Sequence, residues 1–231
     1  MGGYAVIENR LMKAKKIEAV LSEHMKMDIS GLTILDIGAG VGEIASYFAT
    51  RNNVFTVDVE NQLSEKAESA GIKFVKVTNE KLPFEDESFD IIISNHVIEH
   101  VENSSLHIKE MERCLKRGGI VYFSTPNRIF PKEPHTKTWL IHYLPNNMFF
   151  RCLRLIRNKK FKEPIYLLTY WQQKQLFTAN GLKHKECTKD ILNDPEKYFL
   201  DERVPFRVPG FLQALSKTNI FILFKQNEVS L

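Results

Sequence analysis

The chain has 231 residues, 43% hydrophobic and 26% charged, a balance that excludes a disordered or fibrous protein and suits a soluble globular one with a full core. No run of about 18 apolar residues exists, so no transmembrane helix is expected, and the opening MGGYAVIENRLMKAKK lacks the apolar segment of a secretory signal. Three scattered cysteines with no CxxC argue against a disulfide framework or zinc ribbon and for a reducing cytoplasm, while a net charge of +4 permits an anionic partner without demanding one.

Residues 9 to 27 predict an amphipathic helix, with Asn9 as N-cap and Leu11, Ala14, Ile17, Leu21 and Met25 on one face. A short apolar strand, 33–37 (TILDI), then ends in glycines. A helix over 43–51, a strand over 54–59, a polar helix over 62–70 and a strand over 72–77 (IKFVKV) follow. The run 89–94 (FDIIIS) is a nearly all-apolar strand. A helix over 106–116 is expected to stop at Gly118-Gly119, before a fifth strand at 120–124 (IVYFS). Thr169 with Gln172 matches a capping box for a helix running to Asn180-Gly181, and 182–187 and 220–225 are two closing strands.

Strand and helix alternate at the spacing of βαβ units, and the continuous apolar runs are those of strands covered on both faces. The expected fold class is α/β: a Rossmann-like, doubly wound, mostly parallel seven-stranded sheet with helices on both faces. The chain divides as one domain, 1–231. It comprises an N-terminal helix to residue 30, a ligand-binding core over 31–126, a lid or substrate insertion over 127–168, and a C-terminal helix with closing strands over 169–231. Ligands of such sheets bind beyond the carboxyl ends of the strands.

At the first such end stands LDIGAGVGEIA, with Asp36, Gly38, Gly40 and Gly42. The spacing is G-x-G-x-G and not the G-x-G-x-x-G of dinucleotide enzymes. Asp36 would repel a pyrophosphate but suits an ammonium group. Asp58, 22 positions further on and at the next strand end, can accept both hydroxyls of a ribose. These residues fit a cationic nucleoside.

With LDIGAGVGEIA, TVDVE, EKLPFEDESFDIIISNHVIEHV and LKRGGIVYFSTPN in this order, the chain resembles the class I S-adenosylmethionine-dependent methyltransferases over about residues 30 to 127. The resemblance implies S-adenosylmethionine as cofactor. Asp36, Gly38 and Gly40 would line its methionine part, Asp58 would hold the ribose, and Ala39, Val59, Asn79, Glu80 and Asn95 would complete the cofactor site. Many members carry Asp-Ala-Glu in the loop after the third strand. Thr78-Asn79-Glu80 stands there instead, so the adenine contact is weakened or moved to Asn79.

Residues 96 to 100 also fit the H-x-x-E-H pattern of one class of zinc peptidases. Such a site needs both histidines on one helix face, whereas here the pattern leaves an apolar strand, so the match is read as accidental. Some relatives acting on small RNAs and quinone precursors carry Glu-x-x-Glu-His at this place and use a metal. His96 replaces the first of those glutamates, and no metal is assigned. His96 is instead the first candidate for a general base beside the cofactor methyl, with His100 and His135 behind it. Asn127 is expected at the fifth strand end, facing the site. Glu85, Asp86 and Glu87 read as a solvated acidic turn, and Asp90 as structural.

The expected activity is methyl transfer to a small-molecule or lipid- or glycan-precursor acceptor, on oxygen, by a cytoplasmic enzyme. The alternatives are a non-catalytic module that keeps the cofactor fold and, behind it, an NAD-type oxidoreductase. The basic, apolar stretch 148–162 suggests peripheral contact with an anionic membrane or a lipid-linked substrate. The modest charge speaks against nucleic acid as partner.

Overall fold

The structure is a computed structural model describing residues 2–132, 139–140, 143–144, 148, 151, 165–200 and 207–225. Seven strands form one sheet: β1 (Thr33–Ile37), β2 (Asn53–Asp58), β3 (Lys73–Lys76), β4 (Phe89–Asn95), β5 (Leu115–Pro126), β6 (Leu182–Glu186) and β7 (Thr218–Lys225). Their order is β3-β2-β1-β4-β5-β7-β6. β1 to β5 are mutually parallel, and β7 runs antiparallel between β5 and β6. The expected doubly wound, mostly parallel architecture is the one observed.

The central strand β4 shows why. Ile91, Ile92 and Ile93 are consecutive and all fully buried, so both faces of the strand are covered. Each such side chain contributes roughly 1.5–3 kcal/mol on leaving water. One face packs on α1 (Gly2–Met25), α2 (Glu43–Ala49) and α6 (Thr188–Asn193) through Ile17, Leu21, Phe48 and Ile191. The other packs on α4 (Ser104–Cys114) and α5 (Tyr170–Ala179) through Ile108, Met111 and Phe177. The small helix α3 (Glu65–Ser69) sits beside α2, capped by Ser64. The edge strands expose lysines, Lys73 and Lys76 on β3 and Lys183 and Lys185 on β6, which discourages pairing with another sheet.

Several expected boundaries move. α1 begins at Gly2 and runs through Asn9, so Asn9 is no N-cap. Ala14, Ile17 and Leu21 face the core as expected, but Leu11 is exposed and Val20 takes a core place. α4 ends at Cys114, well before the glycine pair, because Leu115 is extended and pairs with Phe89. The register then shifts before Ile91 meets Ile120. Gly118, at φ 79°, lies in that irregularity, and a Cβ on Gly119 would stand 2.8 Å from the Asp90 carbonyl oxygen. The glycines therefore shape a bulge and do not stop the helix. The capping box is present as expected: Gln172 N–H donates to Thr169 Oγ1 at 3.3 Å, and Thr169 N–H to Gln172 Oε1 at 2.9 Å. α6 was not legible as a helix in its short sequence, TKDILN.

Candidate functional site

The glycine loop leaves β1 beneath three left-handed turns, at Gly38 (φ 69°), Gly40 (φ 53°) and Gly42 (φ 79°). The glycines serve different ends. A Cβ at Gly42 would stand 2.6 Å from Leu63 Cδ2, so its hydrogen lets α2 pack closely on α3. A Cβ at Gly40 would meet nothing within 4 Å, which leaves open space in front of the loop. Gly38 lies against Val97, where a Cβ would stand 2.7 Å from Cγ2. The loop after β4 is thereby set next to the glycine loop.

Asp36 and Asp58 flank this space from β1 and β2. Asp58 Oδ2 accepts Gly40 N–H at 3.0 Å and Oδ1 accepts Val59 N–H at 2.7 Å, so its carboxylate is fixed while it stays half-buried. Asp36 is 3% exposed, and its Oδ2 finds no hydrogen-bond partner among the described residues. Burial, aided by the Asp58 charge, pushes its carboxyl up to about 7. A buried carboxylate oxygen without a donor is costly. An ammonium group placed against it supplies the missing partner, so the residues present fit the methionine end and ribose of S-adenosylmethionine. Ala39 and Val59 belong to the same turns. Val59 is exposed and touches Asp58 through its backbone.

The loop after β3 is held differently from expectation. Asn79 Oδ1 accepts Lys81 N–H at 2.9 Å, and Glu80 Oε1 accepts Asn103 N–H at 3.2 Å. Both side chains therefore shape the loop. Beneath them Arg113 of α4 donates to the carbonyls of Leu82 (2.9 Å) and Phe84 (2.7 Å), to Glu110 (2.8 Å) and to Asp86 (2.8 Å). Glu110 in turn accepts Leu82 N–H at 2.9 Å. Sequence reasoning missed this clamp, although Glu110 and Arg113 stand three apart on a helix, a spacing that signals a pair. The acidic turn is likewise docked as well as solvated: Glu87 meets Arg117 at 3.2 Å, and Asp90 meets Lys116 at 2.9 Å and Thr33 N–H at 2.9 Å.

β4 delivers Asn95, half-buried, and then His96. His96 sits at φ 60°, an uncommon conformation for a residue with a Cβ, and its N–H is tied to Ser124 O at 2.8 Å. A 3-10 turn, Ile98–His100, follows. It buries Glu99 completely and leaves His100 exposed. His96 and Glu99 meet, while His100 faces out. No three His, Cys, Asp or Glu side chains are grouped to hold a metal among the described residues. His135 lies outside the described residues. Asn127 does not face the site: its amide donates to the carbonyls of Ala214 (2.7 Å) and Ser216 (3.0 Å), fastening β5 to the turn before β7. His107, buried on α4 beside Ser94 Oγ at 3.3 Å, is driven by burial down to about 4.

Residues 35–123 match the sequence profile described as a methyltransferase domain. An uncharacterised protein of Methanocaldococcus jannaschii is 36% identical over 121 residues, covering 52% of this chain and 55% of its own. A ubiquinone biosynthesis O-methyltransferase of Rickettsia conorii is 35% identical over 201 residues, covering 82% of this chain and 63% of its own. The chain spans about half the length of the first curated relatives it matches. In fold it is similar to an S-adenosylmethionine-dependent methyltransferase of Mesorhizobium loti, with TM-score 0.58 at 17% identity over 90% of this chain and 97% of that one. The profile match falls on the strands that carry Asp36, Asp58 and His96, and the sheet order and glycine loop agree with it. Residues 35–123 thus form a methyltransferase domain, and the chain shares the fold of solved S-adenosylmethionine-dependent methyltransferases.

Proposed function

We propose that this protein transfers the methyl group of S-adenosylmethionine to a hydroxyl of a small-molecule or lipid- or glycan-precursor acceptor. The observation that carries the reading is the unpartnered Asp36 Oδ2 beside the glycine loop, a buried anionic seat that a cationic amino acid fills. The likeness to a ubiquinone biosynthesis O-methyltransferase favours oxygen as the atom attacked. When bound, the cofactor supplies an already activated methyl group. The protein's share is to orient the acceptor in line with it and to take up the acceptor proton. His96 serves as that base, because it leaves β4 next to the loop that lines the cofactor.

S-adenosylhomocysteine at a hundredfold excess over its dissociation constant is expected to stabilise the protein by about 2.7 kcal/mol, read as a thermal shift, and NADH to leave it unchanged. The absence of any shift with S-adenosylhomocysteine would remove the cofactor assignment. Transfer of labelled methyl to metabolite and lipid extracts then separates an enzyme from a binding module, which would show the shift and no transfer.

A lipid-linked acceptor is favoured by the segment after β5. Trp139, Leu140, Tyr143 and Met148 are all exposed there, and Lys132 stands 5.9 Å from the Trp139 ring centre. The basic stretch 148–162 lies outside the described residues apart from Met148 and Arg151. No helix among the described residues is long and apolar enough to cross a membrane. Flotation with anionic liposomes at low salt is expected to carry the protein upward, and Trp139→Ala to weaken this. A protein that stays at the bottom of the gradient contradicts membrane contact.

A further inference from the structure

The turn after β4 contains a buried acid that the reaction as stated does not use. Glu99 is 0% exposed. Its Oε2 accepts the Thr125 hydroxyl of β5 at 3.0 Å, and its backbone carbonyl accepts Tyr166 N–H at 2.7 Å. The turn is thus fastened from two directions. Glu99 Oε1 lies 3.3 Å from His96 Nδ1 and has no aligned hydrogen bond of its own. Burial pushes the Glu99 carboxyl up, but the nearby His96 ring, with the Thr125 hydroxyl, outweighs it and holds it below the ordinary range. On the turn itself His100 is exposed, Tyr166 against it is half-buried, and β5 carries Lys116, Arg117 and the buried Tyr122.

A fully buried carboxylate needs a partner, and here the group aimed at its second oxygen is an imidazole nitrogen. The imidazole belongs to a residue held at φ 60° by a backbone bond to β5. Two features therefore converge on one ring: strained backbone fixes where it starts, and a buried carboxylate oxygen stands 3.3 Å from its Nδ1. Val97, the next residue, packs on Gly38, so this ring stands at the edge of the cofactor loop.

We propose that Glu99 is the positioning residue of His96: its buried carboxylate holds Nδ1–H, leaving Nε2 with its lone pair to take the acceptor proton. The inference rests on the methyltransferase reading above. As His96 Nε2 takes the hydroxyl proton, the oxygen–methyl bond forms and the sulfur–methyl bond breaks. The sulfur keeps the electron pair, and the proton passes from the ring to solvent. The second proton stays on Nδ1, where Glu99 stabilises the imidazolium.

The test has two arms. In Glu99→Gln the shape and the Thr125 contact remain, but an amide nitrogen can donate to Nδ1 and drive the ring's proton to Nε2. Turnover is expected to fall roughly 10²- to 10⁴-fold with the acceptor KM little changed, and to fall no further in the His96→Ala background, because the two residues act as one unit. A Glu99→Gln enzyme with near-normal turnover, or one whose loss persists undiminished in His96→Ala, overturns the proposal. The second arm needs no acceptor. Nitrogen NMR of the wild-type protein with S-adenosylhomocysteine at about pH 8, where a histidine ring is ordinarily neutral, is expected to show His96 protonated on Nδ1, and Glu99→Gln to show it on Nε2. A wild-type ring protonated on Nε2 overturns the dyad whatever the acceptor screen returns. An Nδ1–H ring in a protein that transfers no methyl group would overturn the activity and leave the dyad standing.

Discussion

Asp36→Asn is expected to weaken S-adenosylhomocysteine binding about 10²- to 10³-fold while making the ligand-free protein more stable at neutral pH. The first effect follows from removing the buried charge that an ammonium group needs, worth roughly 2–5 kcal/mol in such pairs. The second follows from linkage. The Asp36 carboxyl is pushed from 3.8 up to about 7 in the folded state, so between these values the folded protein keeps a proton that the unfolded chain has released. The stability Asp36 contributes is full below about pH 4 and is lost as pH rises to 7, by about 4 kcal/mol in all. An amide in its place avoids that loss. His107 acts in the opposite sense. Its imidazole falls from 6.5 to about 4, so its contribution is present above about pH 6.5 and lost as pH falls toward 4. In the wild type the two slopes offset each other across this window. Asp36→Asn should therefore uncover the His107 term, giving a protein that weakens on acidification where the wild type stays nearly level. Urea unfolding from pH 4 to 8, with calorimetric titration of the ligand, reads both effects. A variant no more stable than wild type at pH 8 refutes the argument.

Arg113→Ala is expected to destabilise the fold by about 3 kcal/mol, because it strands the nearly buried Glu110 and two loop carbonyls at once. The loop from Leu82 to Asp86 then loses its anchor, and ligand affinity should fall although Arg113 lies beneath the loop. Lysine should restore only part, since one ammonium cannot reproduce the guanidinium fork that meets several acceptors together. Urea denaturation of the alanine and lysine variants decides it. A loss below about 1 kcal/mol for alanine would mean that the loop is held elsewhere.

The parts legible in the sequence were those set by local pattern. TILDI and FDIIIS read as buried strands because only strands covered on both faces are apolar throughout, and Thr169 with Gln172 announced its helix through a bond only three residues long. The glycine loop and Asp36 were legible because their chemistry depends on place in the chain. What failed depended on partners far away. Gly118-Gly119 reads as a helix stop until Leu115 is seen to pair with Phe89. Asn127 reads as a site residue until the carbonyls of Ala214 and Ser216 claim its amide. Nothing local to Glu99 says that Thr125 draws it inward.

The place of β7 bears on how the chain is made. Val121 of β5 pairs with Leu223, and among the described residues β6 pairs only with β7. During synthesis the apolar outer edge of β5 must therefore stay open while roughly a hundred further residues are added, a wait on the order of 5–20 s at ordinary translation speed. β6 can join the sheet only after β7 has docked. Among the described strands the one that emerges last closes the sheet, so a ribosome stalled before residue 218 holds a nascent chain with an exposed, sticky edge of the kind chaperones bind.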